Sequence, residues 1–213
     1  MRFDEAVRRL TDPGRFDGPL PDGPAALLPT FTDGRLRPRL EPSPTARASA
    51  VLALLFADAD GDARIVLTER LTYDGHHSGE VSLPGGKAEP GDDDAAATAL
   101  REAREEVALD AGAAGLAVVG TLSEFFIPVS DYRITPVVAI ASRRPALAAN
   151  PAEVARILEP PVEAFMPGAA IEIVERTIRD WPLRYGGYRI DGLHVWGATA
   201  RILGQLGAML GTA

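Results

Sequence analysis

Hydrophobic and polar positions alternate along this chain with two clear periods. Phe3, Val7 and Leu10 recur at helical spacing, so residues 3–10 are expected to form a short amphipathic helix. Residues 12–46 show no period and are rich in proline and glycine, which predicts an extended arm or loop wrapping the rest. Residues 49–57 form an apolar run bounded by turn residues, as in a buried strand. A turn at 58–63 and a second apolar run at 64–70 complete a hairpin. A long loop is expected over 71–93. A helix then runs from the aspartate triplet Asp92, Asp93 and Asp94 to about Leu109, with "DAGAAG" as its stop. Strands follow at 116–125 and 132–141. A proline-containing loop leads to "EVARILEPP", to which the pattern assigns no element. A second hairpin spans 170–179 and 183–190, and a helix closes the chain from about Gly197 to Leu210. Strands and helices in this order predict an α/β (α+β) fold, a mixed β-sheet with helices packed on it.

Composition narrows the function. The chain has 213 residues, 46% hydrophobic and 24% charged, as in a globular domain with a sizeable core. The expected organisation is an N-terminal helix and Pro/Gly-rich arm at 1–48, followed by one domain at 49–213. There is no cysteine, so disulfides, thiolate metal sites and cysteine nucleophiles are excluded. The longest apolar run, residues 50–57, is too short to span a bilayer. The first residues are charged and carry no apolar signal core, so the expected location is cytoplasmic, without membrane attachment. A net charge of −8 argues against a nucleic-acid partner. An anionic ligand would therefore need a mediating cation, and a metal ion is the obvious one.

The densest chemistry lies in "LPGGKAEPGDDDAAATALREAREEVAL", residues 83–109. On a helix, Glu105 and Glu106 fall three and four positions after Glu102, so the three carboxylates share one side. Ala99, Ala103 and Val107 lie on another side and suit packing on a sheet. An isolated "REAREE" reads as a solvated, salt-bridged helix face. The preceding Gly85 and Gly86 change that reading, because bare backbone can approach the carboxylates closely. Carboxylate and carbonyl oxygens are what hard divalent cations prefer. "PGGK" lacks the G-x-x-x-x-G-K-[ST] spacing of a phosphate-cradling loop.

This stretch resembles the Nudix box, G-x5-E-x7-R-E-U-x-E-E-x-G-U with U a bulky aliphatic residue. Gly86 matches the glycine, Arg101 to Glu106 match R-E-U-x-E-E, and Leu109 matches the last U. Three positions depart from it. Asp92 or Asp93 stands for the first glutamate, one extra residue separates Gly86 from Arg101, and Ala108 replaces the later glycine. The longer box, with an aspartate after "PGGK", is similar to the coenzyme A pyrophosphatase branch. The upstream "VLTERLTYDGHHSGEVSLPGG" matches that branch's pattern at Leu67, Thr68, Arg70, Gly79, Pro84, Gly85 and Gly86. It departs at Leu71, Gly75 and Leu83, where Gly75 replaces an arginine suited to a phosphate. "ITPVVA", "NPAEVARILEPPV" and "VWGATARIL" extend the resemblance to about residues 49–206.

The resemblance implies a Nudix-type mixed β-sheet sandwiched between helices. It also implies hydrolysis of the pyrophosphate bond of coenzyme A or an acyl derivative, giving 3′,5′-ADP and 4′-phosphopantetheine or its acyl form. The competing readings are a Nudix hydrolase of ADP-ribose, a dinucleotide or a nucleoside triphosphate, and a non-catalytic Nudix ligand-binding module. Implied cofactors are Mg²⁺ or Mn²⁺, held by Glu102 and Glu106, by Glu105 directly or through water, and by the Gly86 carbonyl. Arg101 would orient a glutamate. Glu153 is the first candidate for a base or extra metal ligand outside the box and Glu124 the second. Arg70, Gly85 and Lys87 are the expected substrate contacts, with a structural ion pair as the alternative for Arg70. His76, His77 and Glu80 lack zinc spacing and read as loop packing or substrate contacts. Trp181 and Trp196 suit core burial better than base stacking. The partner is a small nucleotide, with a homodimer left open.

Overall fold

A computed structural model describes residues 1–35, 41–71, 79–128, 130–178 and 181–211. The elements, in chain order, begin with α1 (Phe3–Leu10), β1 (Thr30–Phe31), β2 (Arg47–Ala57), β3 (Ala63–Ile65) and β4 (Leu67–Arg70). Then come β5 (Val81–Ser82), β6 (Gly85–Lys87), α2 (Ala95–Val107), α3 (Ala111–Ala114), β7 (Leu116–Thr121) and β8 (Phe125–Ile127). The chain continues through β9 (Tyr132–Ala141), β10 (Val154–Leu158), β11 (Glu172–Ile178), β12 (Trp181–Ile190), β13 (Leu193–Trp196) and α4 (Gly197–Gly211).

Strand β2 organises the molecule. It pairs in parallel with β9, antiparallel with β3 near one end and antiparallel with β6 near the other. Strands β7 and β8 pair with β9 on its far side. Side chains alternate across a strand, and both faces of β2 are apolar. Ala50, Leu52, Leu54 and Phe56 face α2, together with Val137, Ala139 and Ala141 of β9. Ala53 and Leu55, with Val138 and Ile140, face the opposite core, which α1 and α4 close. The result is the expected mixed sheet between helices. A near-continuous apolar run is what a strand buried on both sides requires.

Several elements differ from the pattern-based expectation. The run at 64–70 is two strands. After Ile65 the chain leaves the β2 sheet, and β4 pairs with β5 and β10 in a separate three-stranded sheet. The expected loop at 71–93 contains β5 and β6, recruited by backbone pairing that no side-chain period announces. "EVARIL" supplies β10. The strand expected at 116–125 stops at Thr121 after a register shift between Val118 and Gly120, and Phe125 begins the separate β8. "DAGAAG" stops α2 and also forms α3, which Asp110 caps by accepting the Ala113 N–H at 2.8 Å. The arm is more than a loop, since its β1 pairs with β12. Trp181 leaves the core and is 39% exposed. Among the described residues, no helix is long and apolar enough to cross a membrane.

Candidate metal and diphosphate site

Helix α2 presents the acidic residues. It starts at Asp94, whose side chain accepts the Ala97 N–H at 2.7 Å and satisfies one free donor of the first turn. It ends at Ala108, in the left-handed region with φ 54°. Ala99 and Ala103 are fully buried against the β2 face. Their small side chains let the helix approach the sheet, and so the Gly85–Gly86 turn.

The glutamates do not share one environment. Glu106 is only 4% exposed, and its Oε2 accepts the Gly85 N–H at 3.2 Å. Burial pushes its carboxyl up to about 7. The Gly85 N–H and the Arg70 charge oppose that rise, while the charges of Glu102 and Glu153 add to it. Glu102, one turn earlier, is also raised by burial, with Arg101 opposing. Gly86 lies flat against it, and a Cβ there would stand 2.5 Å from Glu102 Oε1. Glu105 departs from the expected shared face. Its side chain is 49% exposed, and Arg101 Nη1 donates to its Oε2 at 3.2 Å.

Arg101 ties the turn to the helix. Its Nε donates to Asp92 Oδ1 at 3.1 Å, and its Nη2 donates to Glu102 Oε1 at 3.0 Å and to the Lys87 carbonyl at 2.9 Å. Asp92 also accepts from Thr98 Oγ1 and from the Glu89 N–H. The Arg101 hydrogen bond, then these others, hold its carboxyl down at about 2. Hydrogen bonds to Asp92 in turn raise Arg101 above its ordinary value. Of the two aspartates considered for the first glutamate position, it is Asp92 that clasps Arg101, while Asp93 is exposed. Lys87 contributes its carbonyl to this cluster. Its ammonium points out, 3.7 Å from Glu89 Oε1.

Outside the helix, Glu153 is brought to the same place. Val154 pairs with Arg70, the Leu71 N–H donates to the Glu153 carbonyl, and the Asn150 N–H donates to the Glu106 carbonyl. The exposed Glu153 carboxylate acts electrostatically on both Glu102 and Glu106. Arg70 has a buried Nε without a hydrogen-bond partner among the described residues. Glu124 pairs elsewhere, accepting from Thr135 Oγ1 at 3.5 Å and lying 4.0 Å from Arg133 Nη1. Gly75, His76 and His77 lie outside the described residues, and Glu80 is half-buried, its carbonyl accepting the Arg70 N–H. The Gly85 N–H to Glu106 is the contact that sequence reasoning missed, because a backbone donor leaves no signature in residue type.

The domain model for the NUDIX domain matches residues 46–176. The chain belongs to the Nudix family. It is 40% identical to Nudix hydrolase 22, chloroplastic, of Arabidopsis thaliana over 74% of this chain and 53% of that protein. It is 39% identical to Nudix hydrolase 15, mitochondrial, of the same plant, over 74% of this chain and 56% of that protein. The chain thus spans about half the length of these two relatives. A Nudix hydrolase NudL of Photorhabdus laumondii is 34% identical over 67% of this chain and 74% of that protein. Among solved structures, a Nudix hydrolase of M. smegmatis, RenU, superposes with a TM-score of 0.47 at 24% identity, covering 56% of this chain and 73% of that one. Nudix hydrolases generally use divalent metal ions. The donor chemistry of this Nudix site fits such an ion, since Glu102 and Glu106 place hard carboxylate oxygens beside a glycine turn, with Arg101 and Arg70 offsetting only part of their charge. Among the described residues, no three acidic or histidine side chains are gathered at the spacing of a single ion. The pair would therefore hold an ion together with backbone, water or substrate oxygens.

Proposed function

We propose that this chain hydrolyses the diphosphate bond of a nucleoside diphosphate derivative in a reaction that depends on a divalent ion. The observation that carries this reading is the buried Glu106, one helical turn from Glu102, against the Gly85–Gly86 turn. Two carboxylates held out of water repel each other and any anionic substrate. A bound divalent ion would cancel that charge, neutralise the diphosphate and acidify a water. The chain's own residues then have separable tasks. Glu102 and Glu106 hold the ion, with Glu105 as a further or water-mediated donor. Arg101 fixes Glu102 and the turn by bonding both. Glu153, exposed at the rim and close enough to act on Glu106, takes the proton of the attacking water. Arg70 offers positive charge to a substrate phosphate beside Glu106.

Coenzyme A or an acyl derivative is our finer proposal for the substrate. Its support is the match at Leu67, Thr68, Arg70, Gly79, Pro84, Gly85 and Gly86, together with the long box closed by Asp92. Gly75, in place of an arginine, favours a second reading in which ADP-ribose or a dinucleotide is the preferred substrate. The test is a panel of coenzyme A, ADP-ribose, NADH and nucleoside triphosphates with Mg²⁺ or Mn²⁺, products resolved by chromatography and Glu106→Gln as control. Cleavage of coenzyme A to 3′,5′-ADP well ahead of the others supports the finer proposal, and preference for another nucleotide supports the second reading. No turnover with either metal overturns the hydrolase, and full activity in Glu106→Gln overturns the site assigned to Glu106.

A further inference from the structure

The second sheet has two unlike faces. Strands β1, β12, β11 and β13 form it. On one face Tyr188, Ile190 and Val195 enter the main core. On the other, strand register aligns Phe31 with Leu183 and Val174 with Tyr185. This face, turned away from the main core, is aromatic. The Tyr185 ring stacks on Trp196 at 4.9 Å and 26°, and on His194 at 6.4 Å and 30°. Phe31 and Trp181 meet at 5.7 Å. None of these rings joins the two main core clusters.

The face also carries unanswered polar groups. Tyr185 is 4% exposed, and its hydroxyl has no hydrogen-bond partner among the described residues. The same holds for both ring nitrogens of His194. Leaving such groups buried and unpaired costs their full desolvation, a cost that a ligand reaching them would relieve. Arg176 stands over the Trp196 ring, 6.0 Å from its centre, at the outer limit of a cation–π contact.

Position links this face to the metal site. Strand β13 packs beside β5. Glu80, which precedes β5, lies close enough for its charge to act on Tyr185, and its carbonyl accepts the Arg70 N–H. Arg70 in turn acts on Glu106. Through β5 and Glu80 this face adjoins β4, the strand that carries Arg70.

We propose that this face is the subsite for the nucleobase of the diphosphate substrate, the base stacking on Trp196 beside Tyr185 and Arg176 meeting a phosphate carried on the nucleoside. The proposal rests on the hydrolase reading above. A base matches the face better than an alkyl group does, because flat rings accept a π-face and the free hydroxyl and imidazole require hydrogen-bonding atoms.

The chain has two tryptophans, Trp181 and Trp196, so each can be read alone. Adenosine 3′,5′-bisphosphate is expected to quench the fluorescence of Trp181→Phe, which retains Trp196, and to leave that of Trp196→Phe unchanged. Ribose 5-phosphate, which has no base, is expected to quench neither. For whichever nucleotide the wild type cleaves, Trp196→Leu should raise KM about tenfold, the cost of a lost base–aromatic stack, with little change in kcat. Trp196→Phe should restore most of the loss. Circular dichroism checks the fold of each variant, and Arg176→Ala on exposed β11 should raise KM if Trp196→Leu fails to fold. Quenching confined to Trp181, equal quenching by ribose 5-phosphate, or an unchanged KM in folded Trp196→Leu overturns the subsite. A wild type that binds the bisphosphate at Trp196 but cleaves no nucleotide overturns the hydrolase and keeps the subsite.

Discussion

Glu106 concentrates the chemistry of this protein in one carboxyl group. An unfolded glutamate titrates near 4.5, and burial holds this one at about 7. The sign follows from linkage. Because the folded value is raised, its share of stability is complete below about pH 4.5 and is lost as pH rises through 7. The difference amounts to about 3 kcal/mol in the metal-free protein. Metal-free wild type should therefore melt at a lower temperature at pH 8 than at pH 5.5, and Glu106→Gln should flatten that slope. Calorimetry in the presence of a chelator measures both, and an equal slope in the two proteins would sink the assignment. Sequence reasoning reached Glu106 as a carboxylate but not as the buried one. Which of Glu102, Glu105 and Glu106 is desolvated depends on what packs on α2, and β6 lies nowhere in the helix's own period.

At the scale of the element, α2 is legible almost in full. Asp94 supplies the cap, Ala99 and Ala103 the packing face, and "DAGAAG" the stop. The structure adds a strain at its end. Ala108 occupies the position where the family box has glycine, and it adopts φ 54°, a left-handed conformation that costs an alanine about 1–2 kcal/mol. Ala108→Gly should stabilise the protein by about 0.5–1 kcal/mol after the greater freedom of glycine in the unfolded chain is subtracted. Urea denaturation reads this as a higher midpoint at an unchanged slope, and a lower midpoint would count against the strain. The longer stretch between Gly86 and Arg101 includes the turn that leads into this element. Asp92 closes the turn onto Glu89, and the chain then passes Asp93 before the cap. Spacing left Asp92 and Asp93 equivalent, and hydrogen bonding chose between them.

For the whole molecule, α4 joins the second sheet and the arm to the main core. Leu203 and Met209 are fully buried. At Gly207 the helix passes so close to the Phe165 carbonyl that a Cβ would run into it. Gly207→Ala should therefore lower stability by about 1–3 kcal/mol through overpacking, while kcat measured well below the melting temperature stays near wild type. An unchanged urea midpoint would show that the helix shifts at no cost.

By itself the sequence determined α1, α2 and α4, the buried β2, the hairpin of β11 and β12, and the family. Those features are written in local period, in capping residues and in the spacing of charged side chains along one helix. Tertiary structure decided the break of the 64–70 run into β3 and β4, the recruitment of β5, β6 and β10, the desolvation of Glu106 and the convergence of Glu153 with it. It also decided that Tyr185 and Trp196 stack on an outer face while Trp181 leaves the core. Each of these depends on backbone pairing or burial between residues far apart in the chain, and neither has a period that a linear pattern can show.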